Sequence, residues 1–287
     1  MESIKKIVAV WKYQMRLQVW NSKTLFVFIL LFFYLRGYTE PIVEFSDAVG
    51  VKITPFLFPL FMNDWIIPII VSLGFLVLIC DAPFVKRGYL FLISRTGKAC
   101  WLIGEGLFLL SFAVFYTFGI YVLTLLNTLP MLSFDAEWGK IIMSLVRTNA
   151  SEKFHTIAFD AAIVENFLAV EALTKTMILC VLLFWTFGML VFSLNYFLKN
   201  SMGVVAGVIV TFWDLAIYNL FDDFALRRYS PVSLMKLTNT VGESMWNITY
   251  SEAIGTFIIG IVILFISIFV YAKCNKGIYL DNGRREG

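Results

Sequence analysis

Six stretches of this 287-residue chain are long and apolar enough to cross a lipid bilayer, and they constrain its fold more than any other feature. The chain is 60% hydrophobic and 15% charged, whereas soluble domains are about 45–50% apolar and about 25% charged. A spanning helix needs about 20 residues, and backbone groups in lipid must bond within their own segment. We therefore predict an all-α membrane protein, a single domain over 1–287, with six transmembrane helices. We place them near 22–38, 57–80, 101–127, 173–198, 202–221 and 253–272.

The basic residues predict how these spans are oriented. If the N terminus lies inside, most of the 23 Lys and Arg residues fall on the inner segments, which are also the shorter ones. The positive-inside rule then places both termini in the cytoplasm and the long loops 128–172 and 222–252 outside. We expect a multi-pass protein of the cell membrane that contacts membrane lipids. A net charge of +3 gives no reason to expect a nucleic-acid partner.

The segment 3–20 has the periodicity of an amphipathic helix. Its apolar residues at three- and four-residue steps are Ile4, Ile7, Val8, Trp11, Met15 and Val19. Lys5, Lys12 and Arg16 face elsewhere, and a basic helix with a tryptophan suits the membrane interface. A solvated helix that leads into the first span is the alternative.

Both long outer loops predict further helices. From Asp160 to Leu173, the side chains Ile163, Phe167 and Val170 share one side, as in an amphipathic helix. The loop 222–252 has few charges in its apolar middle. We therefore expect short helices along the membrane surface there, before the last span.

The loop between the second and third spans is the most informative segment for function. It begins at Asp81, passes through an apolar turn too short to cross a membrane, and ends in Ser94-Arg95-Thr96-Gly97-Lys98. Held parallel to the membrane, a short amphipathic segment presents one face to lipid and the other to a cytoplasmic partner. The residues expected to dock this partner are Lys86, Arg87, Gly88, Tyr89, Leu92, Ser94, Arg95, Lys98 and Glu105. An ordinary basic loop that obeys the positive-inside rule is the alternative.

Over nearly its full length, the chain resembles the type-2 ABC transporter permeases. That family has an interfacial N-terminal helix, six spans, a coupling helix between spans two and three, and outer helices before the last span. The resemblance of the loop 81–105 is loose, because Asp81 and Lys86-Arg87 stand where the family more often has an acidic-basic opening. It implies the permease subunit of an ATP-driven exporter, with cytoplasmic ABC ATPase subunits docked on this loop.

No residue pattern predicts that the chain is itself an enzyme. A phosphate-binding P-loop would need a glycine five residues before Gly97 and a hydroxyl residue after Lys98, but Leu92 and Ala99 stand there. The single histidine, His155, excludes a zinc protease of the HExxH type. We predict no catalytic, cofactor-binding or metal-binding residue, and expect ATP and magnesium to bind to the partner ATPase.

Gly203 and Gly207 form a GxxxG pattern at the start of the fifth span. Missing side chains let two helix backbones approach closely. Since the resembling family dimerises through its first and fifth spans, we expect a contact with a second permease copy here, in a homodimer rather than a heterodimer. Packing within one chain is the alternative.

Four residues are candidates for a cargo pathway: Asp64, Trp185, Trp213 and Asp214. Ionisable groups in a membrane are costly and usually functional. Asp64 lies either near the outer end of the second span or in a re-entrant segment, and Asp214 either lines the pathway or bonds another helix. Aromatic walls suit an amphipathic or hydrophobic cargo, such as an antimicrobial peptide, a drug or a lipid-linked molecule.

Another class of function is a stand-alone polytopic protein, either a secondary transporter or a membrane sensor without enzymatic activity. A secondary transporter favours inverted repeats and helices that break near the membrane centre beside buried charges. From the sequence we expect neither such a repeat nor such a broken helix. A six-span membrane enzyme is a third possibility, against which the lack of a polar cluster argues.

Overall fold

The computed structural model describes residues 2–84, 89–148, 150–198, 201–221, 224–241 and 248–274. Regular structure in these ranges is helical, apart from an isolated β-bridge between Ile53 and Leu132. The α-helices are α1 Glu2–Val19, α2 Ser22–Val49, α3 Leu57–Met62, α4 Ile67–Ile79, α5 Tyr89–Thr96, α6 Lys98–Thr128, α7 Gly139–Arg147, α8 Ala150–Lys153, α9 Ala161–Asn166, α10 Ala169–Leu198, α11 Met202–Ala216, α12 Pro231–Met235 and α13 Tyr250–Cys274.

Among the described helices, four are long and apolar enough to cross a membrane. They are α2, α6 with its extension to Met131, α10 and α13. At 1.5 Å per residue even the shortest of them is about 37 Å long, which exceeds the roughly 30 Å of a bilayer's hydrocarbon core. The prediction of an all-helical, multi-pass membrane protein is confirmed.

The predicted second span over 57–80 is wrong as a continuous helix. The chain forms the short α3, breaks at residues 63–66, and resumes as α4. One oxygen of Asp64 accepts hydrogen bonds from the backbone N–H groups of Ile66 (2.9 Å) and Ile67 (3.1 Å), which starts a new helix. The Asn63 side chain donates to the Pro59 carbonyl (2.6 Å) and closes the end of α3. Polar side chains inside the apolar stretch therefore cap two helices.

Three other predicted boundaries also differ from the structure. The helix of the first predicted span, α2, runs past residue 38 to Val49. Its part beyond residue 38 has a buried side, and the helix ends at Gly50, whose positive φ of 68° suits glycine. In the fifth span, α11 ends at Ala216 and a π-helical turn follows over Ile217–Phe221. The predicted helix over 160–173 is two helices, α9 and the start of α10, separated at residues 167–168.

The centre of the bundle is an aromatic cluster around α4. Phe75 packs against Phe112 and Tyr116 of α6 and against Phe184 of α10, with ring centroids 5.0–6.0 Å apart. The Tyr116 hydroxyl donates to the Val71 carbonyl at 2.7 Å. Burying large aromatic side chains dominates core energetics, so the short α4 is held centrally by α6 and α10.

Helix α1 is present as predicted, but two of its three buried residues are polar. Val10, Gln14 and Gln18 are buried, whereas Ile4, which was expected on the apolar face, is exposed. Gln18 donates to the Leu78 carbonyl of α4. Amide groups can be buried because the neighbouring helices supply acceptors for them, and hydrophobic periodicity alone does not reveal those acceptors.

Candidate functional site

A short helix lies between α4 and α6, where the sequence predicts the docking segment. Ser94 and Arg95 are exposed on α5, and Lys98 begins α6. Tyr89 and Leu92 fall within α5. The predicted residues Lys86, Arg87 and Gly88 lie outside the described residues. The geometry leaves Ser94 and Arg95 accessible to a partner, and the cytoplasmic location of α5 stays a prediction.

The assignment of Glu105 to the docking surface is wrong. Its side chain is 0% exposed and lies between α1 and α6. Gln14 and the indole N–H of Trp101 (3.0 Å) both donate to its Oε1 atom, and no described residue bonds its Oε2 atom. A carboxyl group that is buried between two helices cannot contact a docked protein. It holds α1 against α6 instead.

Asn195 of α10 connects the C-terminal end of α4 to the start of α11. Its amide donates to the carbonyls of Ala82 (2.7 Å) and Cys80 (3.3 Å), and its Oδ1 atom accepts from the Gly203 N–H (2.8 Å). One buried side chain thus joins the α4–α5 connection to α11. A displacement of either segment would be resisted by the other.

Gly203 and Gly207 pack against helices of the same chain. A Cβ atom at position 203 would lie 2.5 Å from the Val191 carbonyl oxygen of α10, and one at position 207 would lie 2.6 Å from Leu76 of α4. Of the two sequence-based alternatives, intramolecular packing describes these glycines. A second copy would have to contact another face of α11.

Asp214, near the C-terminal end of α11, is part of a buried polar cluster that we call the Asp214 cluster: Asp214, Ser230, Ser233 and Lys236. Asp214 and Lys236 are 1% and 2% exposed, and the ammonium nitrogen lies 2.9 Å from the carboxylate Oδ2. The Ser230 hydroxyl (3.0 Å) and the Ser233 hydroxyl donate to Oδ1. Every acceptor in the carboxylate therefore has a donor, as a buried charge requires.

The N-terminal cap of α12 positions the residues of this cluster. Ser230 accepts a hydrogen bond from the Ser233 N–H, and Pro231 occupies the first helical position, where its missing N–H costs nothing. One turn of helix then brings Ser233 and Lys236 to the side facing Asp214. The prediction that Asp214 lines a pathway is not supported in this conformation, since the carboxylate bonds a neighbouring segment.

A cavity of about 560 Å³ lies beside this cluster. Its lining includes Asn63 and Asp64 from the α3–α4 break, Asp160 from the start of α9, and Arg227 and Lys236 from the segment 224–241. Lys236 thus belongs to both the cavity wall and the Asp214 cluster. Of the predicted pathway residues, Asp64 lines this cavity.

The structure does not bring the predicted pathway residues into one site. Trp185 is partly buried in α10, and its indole N–H has no partner among the described residues. Trp213 is exposed, whereas the adjacent Asp214 is buried. Lys236 links Asp64 to Asp214, because it lines the same cavity as Asp64 and pairs with Asp214.

Lys236, Ser230 and Arg227 were not identified as site residues from the sequence. Two signals were available: a Ser-Pro pair that is typical of a helix start, and a lysine in an otherwise apolar stretch, within reach of a span that contains an unpaired aspartate. A buried carboxylate needs a cation or several donors. Lys236 could therefore have been predicted from the sequence as the partner of Asp214.

Comparison of the chain with protein-family models, with curated proteins and with solved structures finds no match.

Proposed function

We propose that this chain is the membrane-spanning permease subunit of an ATP-driven ABC exporter in the cell membrane, with both termini in the cytoplasm. Its six crossing segments would be the four long helices, the shorter α11 with its π-helical turn, and α4 together with α3. Cytoplasmic ABC ATPase subunits would bind ATP and magnesium, and a second permease copy would complete the pore. The cargo would be amphipathic or hydrophobic, as in antimicrobial peptides, drugs or lipid-linked molecules.

The position of α5 is the observation that carries this proposal. Ser94 and Arg95 are exposed on this helix, which packs against α6 and α1. The chain segment that precedes it is hydrogen-bonded to Asn195, which also bonds the start of α11. A protein docked on α5 would push on three helices of the bundle at once. Such a shift between two states needs a partner that binds them with different affinity, which a nucleotide-dependent ATPase provides.

A second permease copy would use surfaces that the chain leaves uncovered. Val205, Ile209 and Phe212 are exposed along one side of α11, and Phe26 and Leu30 are exposed on α2. These belong to the first and fifth crossing segments, through which the resembling family dimerises. Because Gly203 and Gly207 already pack against helices of the same chain, the proposed contact between two copies is centred on Val205 and Ile209.

A secondary transporter is the other candidate, and the structure adds an observation that favours it. The α3–α4 break beside Asp64 and the buried Asp214–Lys236 pair are features that transporters place at their binding sites. Such a protein would work without nucleotide. The two candidates therefore differ in whether an ATPase is required.

Purification of the tagged full chain from its native membranes, followed by measurement of ATP hydrolysis, tests the proposal. We expect an ATPase to co-purify with the wild-type chain. Arg95→Glu should reduce the recovered ATPase activity to background, because it reverses the charge on the exposed face of α5. Lys273→Glu, at an exposed position near the end of α13, is the matched control and should recover wild-type activity.

Two results would contradict the exporter. One is that no ATPase activity accompanies the intact chain in any mild detergent, as the secondary transporter predicts. The other is that Arg95→Glu and Lys273→Glu recover equal activity, which would remove α5 as the docking element.

A further inference from the structure

We infer that α1 binds the head group of an anionic phospholipid on the side that faces away from the helix bundle. This goes beyond the proposed transport activity, since lipid binding by this chain alone would require no ATPase.

The packing of α1 on α6 determines which side of α1 is exposed. Trp11 donates to a hydroxyl group of α6 at 2.9 Å, and Gln14 donates to Glu105. A Cβ atom on Gly104 would lie 2.7 Å from the Cβ atom of Val10, so this glycine allows the two helices to approach closely. Helix α1 cannot rotate about its axis without losing these contacts, and the side away from α6 therefore stays exposed.

The exposed side of α1 carries a row of three cations. Lys5, Lys12 and Arg16 follow one another at steps of seven and four residues, so they lie on one side of the helix, and all three are exposed. None of them forms an ion pair with a described residue. Lys6, by contrast, pairs with Glu2 at 2.9 Å. Positive charges that are not compensated within the chain make this side complementary to an anionic surface.

The C-terminal end of α1 lies at the boundary between water and lipid. It leads directly into the spanning helix α2, which begins at Ser22 with Asn21 as its cap. At the second position of α2, Lys23 forms an ion pair with Asp81, and both side chains are about half-exposed. Charged side chains near the ends of spanning helices lie at the level of the lipid head groups. The residues just before Ser22 therefore lie close to this level too.

Aromatic side chains beside the cations favour a lipid over an acidic protein as the partner. Tyr13, Arg16, Leu17 and Trp20 line an open groove on α1. Trp20 is 86% exposed and Tyr13 is 44% exposed. Side chains with an apolar ring and a polar tip are enriched where membranes meet water. In this groove the guanidinium of Arg16 would bind the lipid phosphate, and the apolar side chains would contact the upper part of the acyl chains.

The two lysines make the surface selective for the net charge of the lipid. Every phospholipid has a phosphate that Arg16 can bind, but the ammonium group of phosphatidylcholine would be repelled by Lys12. Phosphatidylglycerol lacks that group. A basic residue near an anionic membrane surface strengthens binding about fivefold. Together with Lys5, these residues should prefer the anionic lipid at least about tenfold.

Native mass spectrometry of the purified full chain measures this preference. The chain is equilibrated in detergent with equal amounts of phosphatidylglycerol and phosphatidylcholine that have the same acyl chains. We expect the wild type to retain at least about tenfold more of the anionic lipid. The triple variant Lys5→Gln/Lys12→Gln/Arg16→Gln should lose this preference. Its temperature of thermal unfolding in lipid-free detergent should equal that of the wild type, because all three side chains are exposed.

The matched control removes the same kinds of charge from α7 and α8. Lys140→Gln/Arg147→Gln/Lys153→Gln changes two lysines and one arginine that are exposed and form no ion pair with a described residue. This variant should retain phosphatidylglycerol as the wild type does. An equal loss of preference in both triple variants would mean that only the total charge of the chain matters, and would overturn the inference.

Photocrosslinking locates the bound lipid. A phosphatidylglycerol analogue with a diazirine in its head group is crosslinked to the full chain in nanodiscs, and the labelled peptides are identified. We expect labelling within residues 13–20, which Arg16→Gln should reduce about fivefold. The inference is overturned if the first measurement shows no preference for phosphatidylglycerol, or if labelling is confined to other parts of the chain. A preference that the α1 triple variant leaves unchanged also overturns it, and loss of a co-purified protein from that variant would then assign the cations to a protein partner.

Discussion

The Asp214 carboxylate accepts from an ammonium group and two hydroxyls, all from a segment 16–22 residues further along the chain. A buried ion pair loses much of its attraction to desolvation, but removal of one partner leaves an uncompensated charge. The pair is therefore of limited value for net stability and costly to break. It specifies where α12 docks on α11.

Breaking the Asp214–Lys236 pair should be strongly destabilising. Asp214→Leu and Lys236→Met should each lower the free energy of unfolding by about 3–5 kcal/mol, since each strands the other charge in a buried site. The double variant should lose much less than the sum of the two. Chemical unfolding of all three variants in detergent measures this coupling, and additive losses would show that the two side chains do not act as a pair.

At the residue scale the sequence identified Asp214 and Asp64 as unusual but not what they do. A carboxylate in an apolar stretch is visible by inspection, whereas its partner depends on tertiary contacts over 16–22 residues. Glu105 was misplaced for a related reason. Its position after a basic loop indicates an exposed mouth of a span, but Gln14 of α1 covers it, and that contact joins residues 91 positions apart.

At the scale of helices, the two ends of α11 are hydrogen-bonded to different parts of the chain. Near its start the Gly203 N–H bonds Asn195, and near its end Asp214 bonds α12. Its 15 residues correspond to about 22 Å. The helix therefore joins the connection that precedes α5 to the wall of the cavity that Asp64 lines. Gly203 lets its backbone pack closely on α10.

Replacement of Gly203 tests that close packing. In Gly203→Ala the new methyl group would meet the Val191 carbonyl, a backbone atom that cannot rotate away. We expect a loss of about 1–3 kcal/mol from overpacking. Gly255→Ala is the control, because a Cβ at this position in α13 meets nothing within 4 Å, and alanine should stabilise the helix by up to about 1 kcal/mol. Thermal unfolding should shift down for the first and stay or rise for the second. A shift of both in the same direction would contradict the packing.

Long uniformly apolar helices were predictable, and interrupted ones were not. The predicted spans near 101–127, 173–198 and 253–272 correspond to α6, α10 and α13 with ends that differ by a few residues. Hydropathy averages over a window, so Asn63 and Asp64 were absorbed into one span although they end α3 and start α4. The cavity at this break could not be predicted, since its other walls come from residues 157–163, from residues 227–241 and from Ile248.

At the scale of the whole molecule, two regions with different chemistry lie in different parts of the chain. One is α5 with the exposed Ser94 and Arg95, and the other is the cavity around Asp64 and Lys236. Transport driven by an ATPase requires the first to face the cytoplasm and the second to face outward. The proposed function therefore depends above all on the orientation of the chain in the membrane.

Cysteine labelling in cells measures that orientation directly. In a chain whose native cysteines are replaced, Ser94→Cys and Lys140→Cys introduce thiols at exposed positions of α5 and α7. We predict that a membrane-impermeant maleimide labels position 140 in intact cells and position 94 only after the membrane is permeabilised. Labelling of position 94 in intact cells would place α5 outside, where no cytoplasmic ATPase can reach it, and would contradict the account.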